Sequence, residues 1–263
     1  MGKAGSSQIN ITAWHDFINQ FTGNKQIHQN DTMPTALIVG ATRGLGYELA
    51  KHYAEKGYTT HGTARSDPPK DASSDIKWIK GVDVSTESAG KAVVDGLKGE
   101  KPDVIFFVAG TLPKESIDKP DFDAEVSTYK ICSIGPVFVV SALYNAGLFK
   151  NGSKLILLSS EGGSITLRHP SEGGGMYSHH ASKAALNMVG KLLSMDLKDT
   201  GVAVGMIHPG FMRTEMTRSV GFDKFWDEGG AVTPDVAAKK IVEWAEGFEM
   251  SKSGRFWAPR GPK

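Results

Sequence analysis

Hydrophobic and polar residues follow two alternating patterns along this chain. Short runs of branched apolar residues alternate with stretches in which apolar residues recur every three or four positions. The first pattern predicts buried β-strands and the second predicts helices. Apolar strands separated by helices are typical of a parallel sheet covered on both faces, so we expect one doubly wound α/β domain. The predicted strands cover residues 35–39, 58–63, 76–84, 104–108, 155–159 and 202–207.

The first 32 residues differ from the rest, being mostly polar and rich in Asn, Gln and Ser. They lack the features of a secretory signal or a transit peptide. We expect residues 1–32 to be an extension, native or added by cloning, and the domain to occupy 33–263. Either residues 11–21 form a short helix that docks on the domain or a partner, or the segment is a disordered tail. Four apolar residues have the spacing of an amphipathic helix: Trp14, Phe17, Ile18 and Phe21.

Charge and cysteine content narrow the classes of partner. The chain has 30 Lys and Arg against 29 Asp and Glu, so it has no net field to recruit nucleic acid or an anionic membrane. Cys132 is the single cysteine, which excludes an intrachain disulfide and multi-cysteine metal sites. No apolar run approaches a membrane span. We expect a cytoplasmic protein with a small-molecule substrate, no metal and no membrane partner.

A glycine-rich turn follows the first predicted strand and precedes a helical pattern. Glycines without Cβ atoms let backbone N–H groups approach a phosphate, and the helix N-terminus adds partial positive charge. The position between strand and helix therefore predicts a dinucleotide site. A plain tight turn remains the alternative. The candidate cofactor-binding residues of the turn are Gly40, Thr42, Arg43, Gly44, Leu45 and Gly46.

The residues that end the next strands supply further cofactor contacts. Arg65 follows the second strand, where a dinucleotide's adenosine ribose would lie and where an acidic residue would favour NAD. With Arg43 it suits a 2′-phosphate, so NADP(H) is the predicted cofactor; two solvated arginines are the alternative. A third predicted strand ends in Asp83 and Val84, suited to the adenine amino group. The fourth predicted strand is followed by Ala109 and Gly110, whose small size lets the protein backbone lie close to the cofactor.

Motifs in the second half of the domain complete a pattern. They are Ser159-Ser160 at a strand end, Ala181-Ser182-Lys183 on a helix, and Pro209-Gly210 followed by Thr214. From about Met33 onward the chain resembles the short-chain dehydrogenase/reductase family, in particular its carbonyl-reductase-like branch, which has a Rossmann-type fold. The resemblance implies that Lys183 holds the nicotinamide ribose and that Thr214 contacts the carboxamide. It also implies that Ser160, with Ser159 as the fallback, orients the substrate.

Two catalytic positions depart from the family. The family's tyrosine lies four residues before the lysine, on the same helix face, and here that residue is His179. Tyr177 can take the role of the family's tyrosine only if the helix starts late. The family's helix asparagine corresponds to Cys132, which is more typical of buried packing than of a nucleophile. Because the Lys183 cation one helical turn away favours neutral imidazole, reduction needs its proton from water, Tyr177 or transient imidazolium. The alternative for His179 and the adjacent His180 is an ordinary structural role, with at most one of them facing the site.

Three functions share this cofactor site. The first is an NADP(H)-dependent oxidoreductase that interconverts a carbonyl and a secondary alcohol. The second is a redox-neutral isomerase, dehydratase or cyclase with His179 as base, and the third is a non-catalytic NADP-binding protein. Residues 162–175 and the loop 211–229 are expected to wall a fairly apolar substrate pocket. Apolar stripes on two helices, 121–146 and 180–198, predict a homodimer or homotetramer.

Overall fold

The computed structural model describes residues 33–258 and 261–262, so the predicted helix at 11–21 lies outside the described residues. Eight strands form one sheet in the order β3-β2-β1-β4-β5-β6-β7-β8. The first seven strands run parallel, and β8 pairs antiparallel with β7. The strands are β1 (Thr35–Val39), β2 (Thr59–Thr63), β3 (Ile76–Ile79), β4 (Val104–Phe107), β5 (Lys154–Leu158), β6 (Ala203–Ile207), β7 (Arg255–Ala258) and β8 (Gly261–Pro262).

Helices cover both faces of the sheet. The α-helices are α1 (Gly44–Glu55), α2 (Ala89–Leu97), α3 (Phe122–Tyr129), α4 (Gly135–Asn145), α5 (Tyr177–Asp196), α6 (Glu215–Ser219) and α7 (Pro234–Glu246). A π-helical turn, Lys130–Ile134, joins α3 to α4. Single 3₁₀ turns cover Glu161–Gly163, Pro170–Glu172, Lys198–Thr200, Phe222–Phe225 and Met250–Lys252. This is the doubly wound arrangement that the alternating patterns predict.

Alternate residues of each strand divide the core into two halves. In β1, Ile38 packs with α1 and α7 on one face, whereas Leu37 packs with α2, α4 and α5 on the other. All five residues of β1 are buried. A strand buried on both faces needs apolar residues at successive positions, which explains its continuous apolar sequence. The carboxyl ends of β1, β4, β5 and β6 consequently meet at one edge of the core.

The structure differs from the predicted strands at two places. The third strand ends at Ile79 rather than at residue 84, because Gly81 takes a φ of +74° that breaks the extended chain. Asp83 and Val84 therefore lie in the turn that follows the strand. The pattern also missed the C-terminal end of the sheet, where β7, whose four residues begin with exposed Arg255, is followed by the two-residue β8.

One helical stretch bears on the expectation that no apolar run approaches a membrane span. Among the described residues, the helical stretch Phe122–Asn145 is long and apolar enough, by length and composition alone, to cross a bilayer. Polar residues such as Lys130 interrupt it, so it is not an uninterrupted apolar run in the sequence. Of its most apolar window, 44% is buried within the fold, and the α4 part contributes Val139, Val140 and Leu143 to the core.

Candidate active site at the carboxyl edge of the sheet

The glycine turn between β1 and α1 is held against the neighbouring strands. Gly40 has a φ of +92°, and its N–H donates a 2.9 Å hydrogen bond to Thr63 Oγ1 at the end of β2. A Cβ on Gly40 would lie 2.7 Å from Ala109 N, and a Cβ on Gly46 would collide with Gly40 O. These two glycines are required for close packing of strand, turn and helix. Leu45 is buried in the core, so only its backbone is available to a ligand.

Gly44 faces open space instead of protein. Its φ is +53°, and among the described residues outside its own turn and helix the one atom within 4 Å of a Cβ built there is Thr214 Cγ2, at 4.0 Å. The glycine turn thus faces the loop after β6, which bends at Gly210 with a φ of +86°. Thr214 also begins α6, because its Oγ1 accepts a 3.2 Å hydrogen bond from Thr217 N. The gap between these loops is where the sequence predicts the dinucleotide, and Thr42 and Pro209 are half-buried beside it.

Two arginines lie at the carboxyl ends of β1 and β2. Arg43 and Arg65 are both exposed, and within residues 33–258 neither forms an ion pair. Asp83 already accepts hydrogen bonds at Oδ1 from Ser85 N and Ser85 Oγ, at 3.0 and 2.7 Å. These hydrogen bonds, with a smaller contribution from Arg65, lower the pKa of Asp83. The neighbouring Val84 side chain is buried.

Lys183 lies at the centre of the candidate site. It is 5% exposed, and its Nζ donates a 2.6 Å hydrogen bond to the carbonyl oxygen of Leu158 at the end of β5. A Cβ on Gly110 would lie 3.5 Å from Lys183 Nζ and 3.7 Å from Cys132 Sγ. The fold therefore brings Gly110, Cys132 and Lys183 together from three separate elements. Burial lowers the pKa of Lys183, against a smaller opposite effect of Cys132.

The two serines after β5 have different environments. Ser159 is buried, and its Oγ donates to Asn187 Oδ1 on α5 at 2.6 Å, so its hydroxyl serves to join strand and helix. Ser160 is half-buried, and its Oγ accepts a 3.1 Å hydrogen bond from Gly162 N. The Ser160 hydroxyl keeps its proton available for a ligand. This contrast favours Ser160 over Ser159 as the substrate-orienting residue.

His179 lies one helical turn before Lys183 on α5. Burial is the largest of the effects that lower the pKa of His179 to about 3, and the charges of Lys183, His180 and His208 add to it. His208 belongs to the loop after β6, so groups from two elements disfavour the charged imidazole. His179 is consequently a neutral imidazole at physiological pH.

Tyr177 is the first residue of α5 and is 38% exposed. A Cβ on Gly174 would lie 3.8 Å from its hydroxyl oxygen, which places the phenol beside the 162–175 loop. Because the helix already begins at Tyr177, this residue is six positions from Lys183 and projects from a different face. The late helix start that would bring Tyr177 into the tyrosine's role does not occur.

Sequence reasoning missed the contacts made by His180. The rings of His179 and His180 lie 5.2 Å apart, with their Nδ1 atoms 3.4 Å apart. His180 Nε2 in turn lies 3.2 Å from Arg168 Nη1, and Arg168 pairs with Glu172 at 3.0 Å. That at most one of the two histidines faces the site stays a prediction, and their rings turn toward each other although they are adjacent on the helix. The sequence shows only the dipeptide, so nothing in it predicted the contact with Arg168.

The residues expected to wall a substrate pocket lie in the loops after β5 and β6. In the loop after β6, Phe211 and Phe222 pack edge to face with ring centroids 6.3 Å apart. Trp226 Nε1 donates to Thr217 Oγ1 at 3.3 Å, whereas Phe225 is 54% exposed. Within the described part of the chain, no three His, Cys, Asp or Glu side chains are placed to hold a metal ion.

Comparison with known proteins agrees with this architecture. A family model described as short chain dehydrogenase matches residues 34–224. A curated relative from Rhodococcus sp. (strain AD45), 1-hydroxy-2-glutathionyl-2-methyl-3-butene dehydrogenase, is 31% identical over 226 residues, covering 85% of this chain and 96% of the relative. The chain therefore belongs to the short-chain dehydrogenase/reductase family, whose members are oxidoreductases that bind nicotinamide cofactors.

Solved structures give the same fold. The NADPH-bound carbonyl reductase from chicken fatty liver superposes with a TM-score of 0.73 at 22% identity, covering 89% of this chain and 95% of that chain. A putative short-chain dehydrogenase/reductase from Burkholderia multivorans with bound NADP gives a TM-score of 0.69 at 25% identity, covering 88% and 98%. The first comparison establishes the Rossmann-like α/β architecture.

Proposed function

We propose that this protein is an NADP(H)-dependent oxidoreductase that interconverts a carbonyl and a secondary alcohol of a small, fairly apolar substrate. The observation that carries the proposal is the placement of Lys183. Its buried amine lies against the carboxyl end of β5, one helical turn after His179 and next to Gly110. The glycine turn that would hold a pyrophosphate opens toward the same edge. The family relationship supports redox chemistry on this arrangement.

The residues present fit a dinucleotide phosphate. Gly44 leaves an open approach to the N-terminus of α1, and a side chain there would narrow the gap toward Thr214. Arg43 and Arg65 are exposed cations with no acidic partner in an ion pair among the described residues, which suits a 2′-phosphate. Gly110 allows a ligand to approach Lys183. We infer NADP(H) rather than NAD(H) on these grounds.

When bound, the nicotinamide supplies or accepts the hydride. Ser160 donates a hydrogen bond to the substrate oxygen, and Lys183 holds the nicotinamide ribose. His179 takes the family tyrosine's position beside that oxygen. With a pKa of about 3, only about one His179 in 10⁴ is imidazolium at pH 7. Because the proton must come from this small imidazolium fraction, we expect carbonyl reduction to be slow at neutral pH.

Absorbance of NADPH measures whether the protein is a reductase. Purified protein should oxidise bound NADPH in a single turnover with at least one member of a panel of apolar ketones and aldehydes. His179→Tyr should raise the rate and move the pH optimum upward, because the tyrosine restores an acid of suitable pKa beside Lys183. NADPH absorbance that stays flat while substrate is converted would show redox-neutral chemistry instead, and the proposal would be wrong.

A pair of variants tests the role of His179 itself. His179→Ala should lower the rate at least about 100-fold, the usual contribution of a positioned acid–base group. The matched variant is Tyr177→Phe, which removes the phenolic hydroxyl from the same helix turn and keeps the ring. If Tyr177→Phe costs more rate than His179→Ala, the phenol and not the imidazole meets the substrate. Thermal unfolding of both variants controls for misfolding.

We also infer a homodimer or homotetramer, a cytoplasmic location and one domain that begins at about residue 33. Exposed apolar side chains on α4 and α5 support the association, among them Phe138, Met188 and Leu192 at 42%, 61% and 52% exposure. The residues of family motifs all fall after residue 33. We infer no nucleic-acid or membrane partner, since the 30 basic and 29 acidic residues are balanced.

A further inference from the structure

We propose that Arg168 and His180 are positioning residues that fix the tautomer of His179, with the proton on Nε2 and a lone pair on Nδ1. The inference rests on the proposed function for its catalytic meaning, since it assumes that His179 meets the substrate oxygen. It rests on a chain of three contacts for its physical basis. These are Glu172 to Arg168, Arg168 to His180, and His180 to His179.

The chain begins at a group that can only donate. A guanidinium has N–H donors, no acceptor, and does not lose its proton in proteins. Arg168 is held in place by three acceptors: Glu172 Oε2 at 3.0 Å, the Glu172 carbonyl at 3.3 Å and the Gly173 carbonyl at 2.6 Å. Its Nη1 lies 3.2 Å from His180 Nε2. The His180 Nε2 atom must therefore be the acceptor.

That assignment determines which ring nitrogen of His180 carries the proton. A neutral imidazole carries one proton, so an accepting Nε2 puts the proton on Nδ1. Burial, with a smaller contribution from Arg168, lowers the pKa of His180 and keeps the ring neutral. The ring lies close against Gly162, where a Cβ would come within 2.8 Å of it. A hydrogen bond to the backbone of Met176, which opposes the lowering of the pKa, also requires a proton on the ring. His180 thus presents an Nδ1–H that is shared between the Met176 backbone and Nδ1 of His179.

The same reasoning then determines the tautomer of His179. Its Nδ1 lies 3.4 Å from His180 Nδ1, at the long end of hydrogen-bond distances, and must accept because the other atom donates. The charged and titratable groups that face His179 are Lys183, His180 and His208, and together with burial they keep it neutral. Its single proton is left on Nε2. A neutral imidazole N–H is an effective electrophile toward a carbonyl oxygen, as the neutral histidine of triosephosphate isomerase shows.

The consequence is that neutral His179 stabilises the substrate oxygen by hydrogen bonding, while the proton that completes the alcohol still comes from the rare imidazolium. The guanidinium of Arg168 sets the direction of two hydrogen bonds, and the last ring presents a donor to the substrate oxygen. The donor is neutral across the physiological range. It stabilises negative charge developing on that oxygen at any pH at which His179 and His180 are uncharged.

Two-bond proton–nitrogen correlation spectra of ¹⁵N-histidine-labelled protein read the tautomer directly. His179 is assigned by the signal lost in His179→Gln. We expect a protonated Nε2 and an unprotonated Nδ1 in the wild type. Arg168→Glu replaces the donor by an acceptor, so the protons of both rings should reverse and His179 should carry its proton on Nδ1. Arg168→Lys keeps a donor and should keep the wild-type pattern.

His180→Asp is a second route to the same reversal, because its carboxylate accepts from His179 Nδ1. It keeps the test open if Arg168→Glu does not fold, and circular dichroism checks each variant. A proton on Nδ1 of wild-type His179 would overturn the assignment. Retention of the Nε2 proton in a folded Arg168→Glu protein would overturn the role of Arg168.

Kinetics separate this inference from the proposed function. If the protein reduces a carbonyl, Arg168→Glu should lower kcat about 100-fold, the usual cost of one lost donor to an oxyanion. KM for NADPH should stay unchanged, and the Lys variant should restore most of kcat. The spectra need neither substrate nor turnover. An expected spectrum with no NADPH oxidation would refute the reductase alone, whereas turnover with an Nδ1 proton would refute the tautomer alone.

Discussion

Ser178 Oγ donates a 2.6 Å hydrogen bond to Glu115 Oε2, although the two residues are 63 positions apart. The same oxygen accepts from Ser178 N at 2.9 Å, and Met176 N donates to the Glu115 carbonyl at 3.2 Å. Ser178 is the second residue of α5, and Met176 gives that helix no side-chain cap. A carboxylate from the loop after β4 thus satisfies an N–H that the helix leaves free and faces the positive end of its dipole.

We expect Glu115→Ala to destabilise the protein by about 2–3 kcal/mol, because a buried charge-assisted hydrogen bond is lost. The rate should fall as well, since the next residue is His179. Glu115→Gln is the matched control, because its amide oxygen still accepts from Ser178, and it should lose less than half as much. Urea unfolding measures the stability of each variant. If Glu115→Ala and Glu115→Gln lose equal stability, the charge of the carboxylate, and not its hydrogen bond, stabilises the start of the helix.

Cofactor preference depends on Arg65. NADPH should bind at least several-fold tighter than NADH, and Arg65→Ala should lower NADPH affinity about tenfold or more, as expected for a lost hydrogen bond to a charged group. NADH affinity should change little, because NADH has no 2′-phosphate. Arg255→Ala, which removes an exposed arginine from β7, is the control. Calorimetric titration with both cofactors measures this, and equal affinities in the wild type would refute the assignment.

The elements that depend on local sequence were predictable. β1 appears as an apolar run because both of its faces are buried, and the glycine turn is visible because Gly40 and Gly46 have no room for a Cβ. The third strand was predicted too long because the apolar residues Val82 and Val84 continue past Gly81. Their side chains are buried, as in a strand, but the backbone has already turned.

The contacts that tune the candidate site were not predictable in the same way. Glu115 reaches Ser178 across 63 residues, and Arg168 reaches His180 from an irregular loop. Such pairs have no periodic signature, since a loop side chain is placed by the three-dimensional path of its backbone. The resemblance to a family identified the position of His179, whereas the groups that set its charge and its proton became visible only in the structure.

Association should depend on the apolar stripe of α5. Met188, Leu192 and Met195 follow an i, i+4, i+7 spacing and are 61%, 52% and 58% exposed. We expect light scattering at micromolar concentration to show a dimer or tetramer, and Leu192→Glu to reduce the assembly size by placing a charge in a buried interface. Met250→Glu, which changes an exposed methionine outside these helices, is the control. A monomeric wild type would contradict the prediction.

Stability should fall in mild acid because of His179. Its pKa is about 3 in the folded protein against 6.5 for an unperturbed histidine. As the pH drops below 6.5, the unfolded chain takes up a proton that the folded protein does not, so the free energy of unfolding decreases. This loss continues until the pH approaches 3. Between pH 7 and pH 5 the contribution of this one group is about 2 kcal/mol.

His179→Gln and His179→Asn isolate that contribution, because neither side chain titrates in this range. Whatever their stability at pH 7, both should lose about 2 kcal/mol less than the wild type between pH 7 and pH 5. The pKa of His180 is also lowered, chiefly by burial, and its effect is common to all three proteins. Urea unfolding at each pH gives the comparison. If the free energy of unfolding depends on pH in the same way in the wild type and both variants, the pKa of His179 is not lowered by folding. The argument that His179 is neutral in the folded protein would then fail.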